Sequence, residues 1–89
     1  MEKFREQELD ERLKFFENKA DFEIELERSI TAKMKLKNAS ISYDHETGFI
    51  NIVSEDGIFK VNTTLVYKYE TLEDGIKIDL ETVVMKIKA

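Results

Sequence analysis

IFKVNTTLVYKYETLEDGIKIDLETVVMKIK, residues 58–88, decides how this chain folds. Two apolar-rich segments, Ile58 to Thr71 and Ile76 to Lys88, flank Glu73-Asp74-Gly75. Asp-Gly between alternating apolar runs signals a hairpin, because both central positions of a type I′ turn need positive φ. A turn at Asp74-Gly75 pairs Tyr69 with Leu80, Leu65 with Val84 and Lys68 with Glu81. Apolar then meets apolar on one face, and an opposite-charge pair falls on the other. A longer loop by one residue would set Tyr69 against Asp79 and put charge on the core face. The shorter turn is the expectation.

Outward from this hairpin, Ser54-Glu55-Asp56-Gly57-Ile58 repeats the Glu-Asp-Gly-Ile of residues 73–76. A turn at Asp56-Gly57 pairs Ile52 with Val61 and Ser54 with Phe59. Phe59, Val61, Leu65, Tyr67 and Tyr69 become the inner row of a central strand. The flanks of the two copies differ, so they read as two instances of good turn chemistry rather than an internal repeat.

Upstream, Phe22, Ile24, Leu26, Ile30, Ala32, Met34 and Leu36 alternate with Glu23, Glu25, Glu27, Lys33, Lys35 and Lys37. That is the period of a strand. A loop at Glu27-Arg28-Ser29 pairs Ile24 with Ala32 and sets Glu23 against Lys33. The competing reading of 21–38 is a second helix, with an Asp start, early Glu, late Lys and an Asn stop; its apolar residues would scatter around the axis. After Leu36 the inner set shifts to Ala39, Ile41 and Tyr43, as a β-bulge near Lys37-Asn38 would produce. A loop of His45-Glu46-Thr47-Gly48 pairs Tyr43 with Ile50 and Ile41 with Ile52. A second phase slip lies near Thr82.

Residues 1–20 read as a helix, with Leu9, Leu13, Phe16 and Ala20 on one face and Phe15 beside it. Glu8–Arg12 and Asp10–Lys14 are i,i+4 pairs in the favourable order. The expected fold is therefore α+β. An N-terminal helix precedes a bent five-stranded antiparallel meander with strands at 22–27, 30–44, 49–55, 58–71 and 76–88. One domain spans 1–89, with the helix in 1–20 and the meander in 21–89.

Composition narrows the function. A net charge of −5 argues against generic binding to nucleic-acid backbones, which needs a cationic surface. Without Cys there is no thiolate metal site, which fits a reducing, cytoplasmic setting. No apolar run reaches the ~18 residues of a membrane helix, and the charged start does not read as a signal peptide. His45 is the lone histidine, between Asp44 and Glu46 in a loop, and reads as a turn residue. The carboxylates form no recognisable acid/base pair, and the Glu-Asp-Gly segments lack the spaced acids of a calcium loop. No catalytic residue, metal site or cofactor is expected, and the chain does not read as an enzyme.

The order of elements resembles the layout of Sm-like proteins, a small and partly closed barrel. Val66-Tyr67-Lys68 resembles the Tyr-Lys-His segment of the bacterial Sm-like RNA chaperones, with Tyr69 where the family has His. The first two strands lack the glycines of the family's first motif, and no RNA-binding residue is carried over. The resemblance implies a nucleic-acid or nucleotide binder as the alternative function, with Lys33, Lys35 and Lys37 as the candidate contact.

The leading expectation is a non-catalytic interaction module that binds another protein. An inhibitor of the phage type, acting on a host protein through its acidic face, is one form of it. Residues 76–88 would be a free edge, strongly apolar near the end and without Pro to blunt it. Val83, Val84, Met85 and Ile87, with Phe15 on the helix, are the candidate interface of a homo-oligomer.

Overall fold

The computed structural model describes residues 6–89, with side chains from Leu9 onward. The start of the expected helix and the Glu8–Arg12 pair lie outside the described residues. A short helix, α1 (Glu6–Leu13), runs into a 3-10 turn (Lys14–Phe16). Eight strands follow: β1 (Phe22–Arg28), β2 (Ala32–Leu36), β3 (Ser40–Asp44), β4 (Phe49–Ser54), β5 (Gly57–Asn62), β6 (Lys68–Leu72), β7 (Gly75–Asp79) and β8 (Val83–Lys88). They form two antiparallel sheets, of order β2-β1-β8-β7-β6 and β3-β4-β5.

The core lies between the sheets and under the helix. Leu9, Leu13 and Phe16 pack with Phe22, Ile24, Ile50, Ile52, Ile76, Ile78 and Ile87, all buried. The sheets do not close into a barrel, so the five-stranded meander is corrected to eight strands in two layers. Residues 21–38 are strands, not a second helix. No helix among the described residues is long and apolar enough to cross a membrane.

Three expected long strands are broken, two of them where the alternation changes phase. Near Lys37-Asn38 the chain leaves one sheet for the other instead of bulging. Asn38 takes φ 51°, and the Ala39 N–H donates to the Ala20 carbonyl at 2.7 Å. At Asn62-Thr63-Thr64 the Asn62 side chain accepts from the Thr64 N–H at 3.0 Å and caps a 3-10 turn (Thr63–Leu65). Such local side-chain bonds compete with a sheet ladder. At Leu80-Glu81-Thr82 the chain reverses, so residues 76–88 are themselves a hairpin, with Ile78 opposite Met85.

That reversal overturns the free-edge expectation. β8 is the middle strand of the larger sheet, bonded to β1 on one side and β7 on the other. Ile87 lies in the core, and Val84 is buried at 3% exposure on the opposite side of the sheet, in register with Glu27 and Asp79. Val83 and Met85 are half-buried, and Met85 packs against the core. The interface read into this segment loses the unpaired edge on which it rested.

The hairpin registers are informative. Tyr43 opposite Ile50 and Ile41 opposite Ile52 are as expected, and Gly48 takes φ 77°. The other hairpins are offset by two residues. Tyr69 faces Ile78, Ile52 faces Phe59, and Ile24 faces Met34. In both Glu-Asp-Gly segments the turn is Glu-Asp, and Gly57 and Gly75 open the next strand opposite Ser54 and Leu72. Neither turn has the positive φ values of type I′ at its Glu and Asp.

Candidate docking surfaces

One end of the larger sheet carries a polar clamp. Asp79 closes β7 and is 5% exposed, the one buried charged residue among those described. Its Oδ1 accepts from the Glu81 N–H at 2.8 Å, which forms the tight turn into β8. Arg28, at the end of β1, donates from Nη1 to Asp79 Oδ1 at 2.9 Å and from Nη2 to Oδ2 at 3.3 Å. Arg28 Nη1 also donates to the Glu81 carbonyl at 2.7 Å. The Ser29 hydroxyl and N–H both donate to the Thr82 carbonyl, at 2.6 and 3.2 Å. The Glu81 N–H, and then Arg28, hold the Asp79 carboxyl below the usual range against the opposing effect of burial.

The clamp fixes an unusual backbone. Arg28 and Glu81 have φ of 82° and 70°, a region costly for residues other than glycine. Around it stand three large apolar side chains: Ile30 at 56% exposure, and Leu65 and Tyr67 at 67% each. Ile30 follows the end of β1. Tyr67 precedes β6, and its N–H donates to the Asp79 carbonyl at 2.7 Å. Val66 turns inward against the core, which points Leu65 and Tyr67 outward. This corrects the expectation that Leu65 and Tyr67 belong to an inner row, whereas Tyr69 does pack on the core. Burial pushes the Tyr69 hydroxyl up to about 12.

The outer face of the larger sheet is a ladder of alternating charge. Lys33 and Lys35 of β2 face Glu25 and Glu23 of β1. Lys88 and Lys86 of β8 lie on the far side of the same strand. Glu25 meets Lys88 at 2.5 Å and Lys33 at 3.6 Å, and Glu27 meets Lys86 at 2.7 Å. These contacts lower the Glu25 and Glu27 carboxyls and raise the Lys88 ammonium. A cleft of about 470 Å³ opens at the Leu36 end of β2, with Lys35, Lys37, Glu23 and Asp74 in its walls.

The helix side forms a third region. His45 sits on the β3–β4 loop with Nε2 2.9 Å from Asp10 Oδ2, edge-on to Tyr43. Asp10 thus meets His45 and not Lys14, which pairs with Glu11 at 3.1 Å. Phe15 packs edge-on against Phe16 at 5.2 Å, with the Lys19 ammonium over its ring.

No protein-family model, curated protein or solved structure matches this chain.

The sequence reading did not single out Ile30 or the Arg28–Asp79 pair. A signal existed for the turn, since Asp79 is an Asp placed two residues before a reversal, where its carboxylate caps the backbone. The signal for Leu65 and Tyr67 was Asn62-Thr63-Thr64, which interrupts the strand that would have turned them inward.

Proposed function

We propose that this chain is a non-catalytic module that binds another protein through the sheet end around Arg28–Asp79. The observation that carries this reading is the set Ile30, Leu65 and Tyr67, exposed together on loops whose backbone is fixed. By strand spacing, Ile30 and Tyr67 stand about three inter-strand steps apart, ~14 Å, within the reach of a small interface. Tyr is enriched at the energetic centres of interfaces, where one apolar body and one polar tip are both used. Loops on a rigid scaffold are where binding residues concentrate, and strained backbone gathers at such places. A second copy of this chain counts among the protein partners of this reading.

Nucleic-acid binding through Lys33, Lys35 and Lys37 has less support. Lys33 and Lys35 lie in register with Glu25 and Glu23, so the stripe stands next to a row of like-spaced carboxylates. Backbone phosphates require a net cationic face.

Photo-crosslinking separates these readings. A photoreactive residue replaces Tyr67 in the full chain, with Glu46 on the β3–β4 loop as the control position. In cells of the source, position 67 is expected to yield discrete protein adducts well above those at position 46. Adducts that are chiefly nucleic acid, or equal at both positions, contradict the reading.

A further inference from the structure

We infer that the free edge of β2 accepts an extended segment of a partner protein, alternating acidic and apolar residues, as a sixth strand of the larger sheet. This rests on the reading of the chain as a protein-binding module. β2 is bonded to β1 on one side only. Among the described residues, no backbone hydrogen bond outside that ladder reaches Ala32–Leu36. Extended segments add to such edges through main-chain bonds, and alternate side chains then set which segment fits.

The side chains of β2 specify the alternation. On the outer face stand Lys33 and Lys35, next to the glutamates of β1, which lie next to the lysines of β8. Continued outward by one strand, this sequence of rows calls for carboxylates. The lysine charges are available to them. Glu25 is already held by Lys88, so Lys33 is its second and more distant partner. Lys35 and Lys37 make no ion pair among the described residues. On the inner face Ala32 and Met34 are half-buried at the margin of the core. Apolar residues on alternate positions of the added strand would extend that margin. The open edge ends past Leu36, where the Glu55 N–H donates to the Lys37 carbonyl at 3.2 Å, so the added strand spans Ala32–Leu36.

The same lysines exclude a second copy of β2. Antiparallel pairing about Met34 would set Lys33 opposite Lys35 of the other copy, and like charges directly opposite are destabilising. Lysines on an edge therefore block self-pairing here and leave an acidic strand as the favoured occupant.

β1 itself has the required pattern and already fits β2 from the other side, so a peptide of residues 21–29 is the probe. Residue-resolved amide exchange of the full chain is followed with this peptide and with a version carrying Lys in place of Glu23, Glu25 and Glu27. The expected result is slowed exchange confined to residues 32–36, with β1 and β8 unchanged. The charge-reversed peptide should bind about tenfold more weakly, the scale of a few cross-strand ion pairs. Lys35→Gln should narrow that preference and Lys35→Glu should invert it. Equal affinity for both peptides, no effect at β2, or lost protection in β1 through displacement would each overturn the proposal. So would a short RNA or DNA that protects β2 better than the acidic peptide. Protein adducts from position 67 without any peptide effect at β2 overturn this proposal alone; nucleic-acid adducts there overturn the reading beneath it.

Discussion

Two glycines occupy equivalent places in the repeated Glu-Asp-Gly-Ile, yet chemistry constrains them differently. A Cβ on Gly75 would lie 1.8 Å from the Ile87 carbonyl oxygen, so β7 and β8 would have to separate. Gly57 has φ 149° and open space around it. In urea unfolding, Gly75→Ala should cost about 2–3 kcal/mol, as forced overpacking does, and Gly57→Ala about 1 kcal/mol of backbone strain. Equal losses, or the reverse order, would show that the crowding at Ile87 is relieved without cost. Asp79 offers a second test at this scale. Its carboxyl titrates lower in the folded chain than in the unfolded one. The stabilisation it provides is therefore complete above the ordinary carboxylate range, and it is lost as pH falls below about 4 toward the folded-state value. Asp79→Asn should lower the melting temperature at neutral pH and flatten its fall on acidification. A profile that superimposes on the parent's would mean that the Arg28 clamp contributes nothing to folding.

The helix shows how faithfully a periodic pattern marks an element. Of the face expected from Leu9, Leu13, Phe16 and Ala20, the first three are buried, while Ala20 is exposed past the end of a helix that stops well short of residue 20; Phe15 stands beside the face at 38% exposure. Phe16→Ala should cost about 3–5 kcal/mol as a large core truncation. Phe15→Ala should cost about 1 kcal/mol, the worth of its edge-on contact with Phe16. Comparable losses in thermal unfolding would place Phe15 in the core after all. The strands were legible in their faces but less so in their partners. Moving Tyr69 from Leu80 to Ile78 changes the register by two residues and leaves every side chain on its original face. Binary pattern alone cannot distinguish such registers; the backbone does, since neither Asp74 nor Gly75 takes the positive φ that a type I′ turn there would need. The phase slips at Lys37-Asn38 and Thr82 were visible too. A slip shows that the chain bends, but not that it changes sheet or reverses. Only the caps from Asn62 and Asp79 carried that information, and they act through local hydrogen bonds rather than periodicity.

At the scale of the whole molecule, placing β8 in the middle of the larger sheet redistributes the surface. Of the apolar residues of 83–87, Met85 and Ile87 pack on the core between the layers, whereas Ile30, Leu65 and Tyr67 stand exposed outside the strands. The candidate site was for this reason the least legible part of the chain. Hydrophobicity marked both groups alike, and only topology separates them. Val84→Lys is expected to abolish cooperative unfolding instead of releasing a smaller, folded species. A folded variant of reduced mass would restore 83–87 as a subunit contact. The central position of β8 is most directly tested by amide hydrogen exchange of the free chain, residue by residue. With partners on both sides, the amides of Val84, Met85 and Ile87 should be among the slowest, and those of Lys33 to Lys35 on the edge markedly faster. Exchange in 83–87 as fast as in β2 would contradict the two-sheet arrangement and everything built upon it.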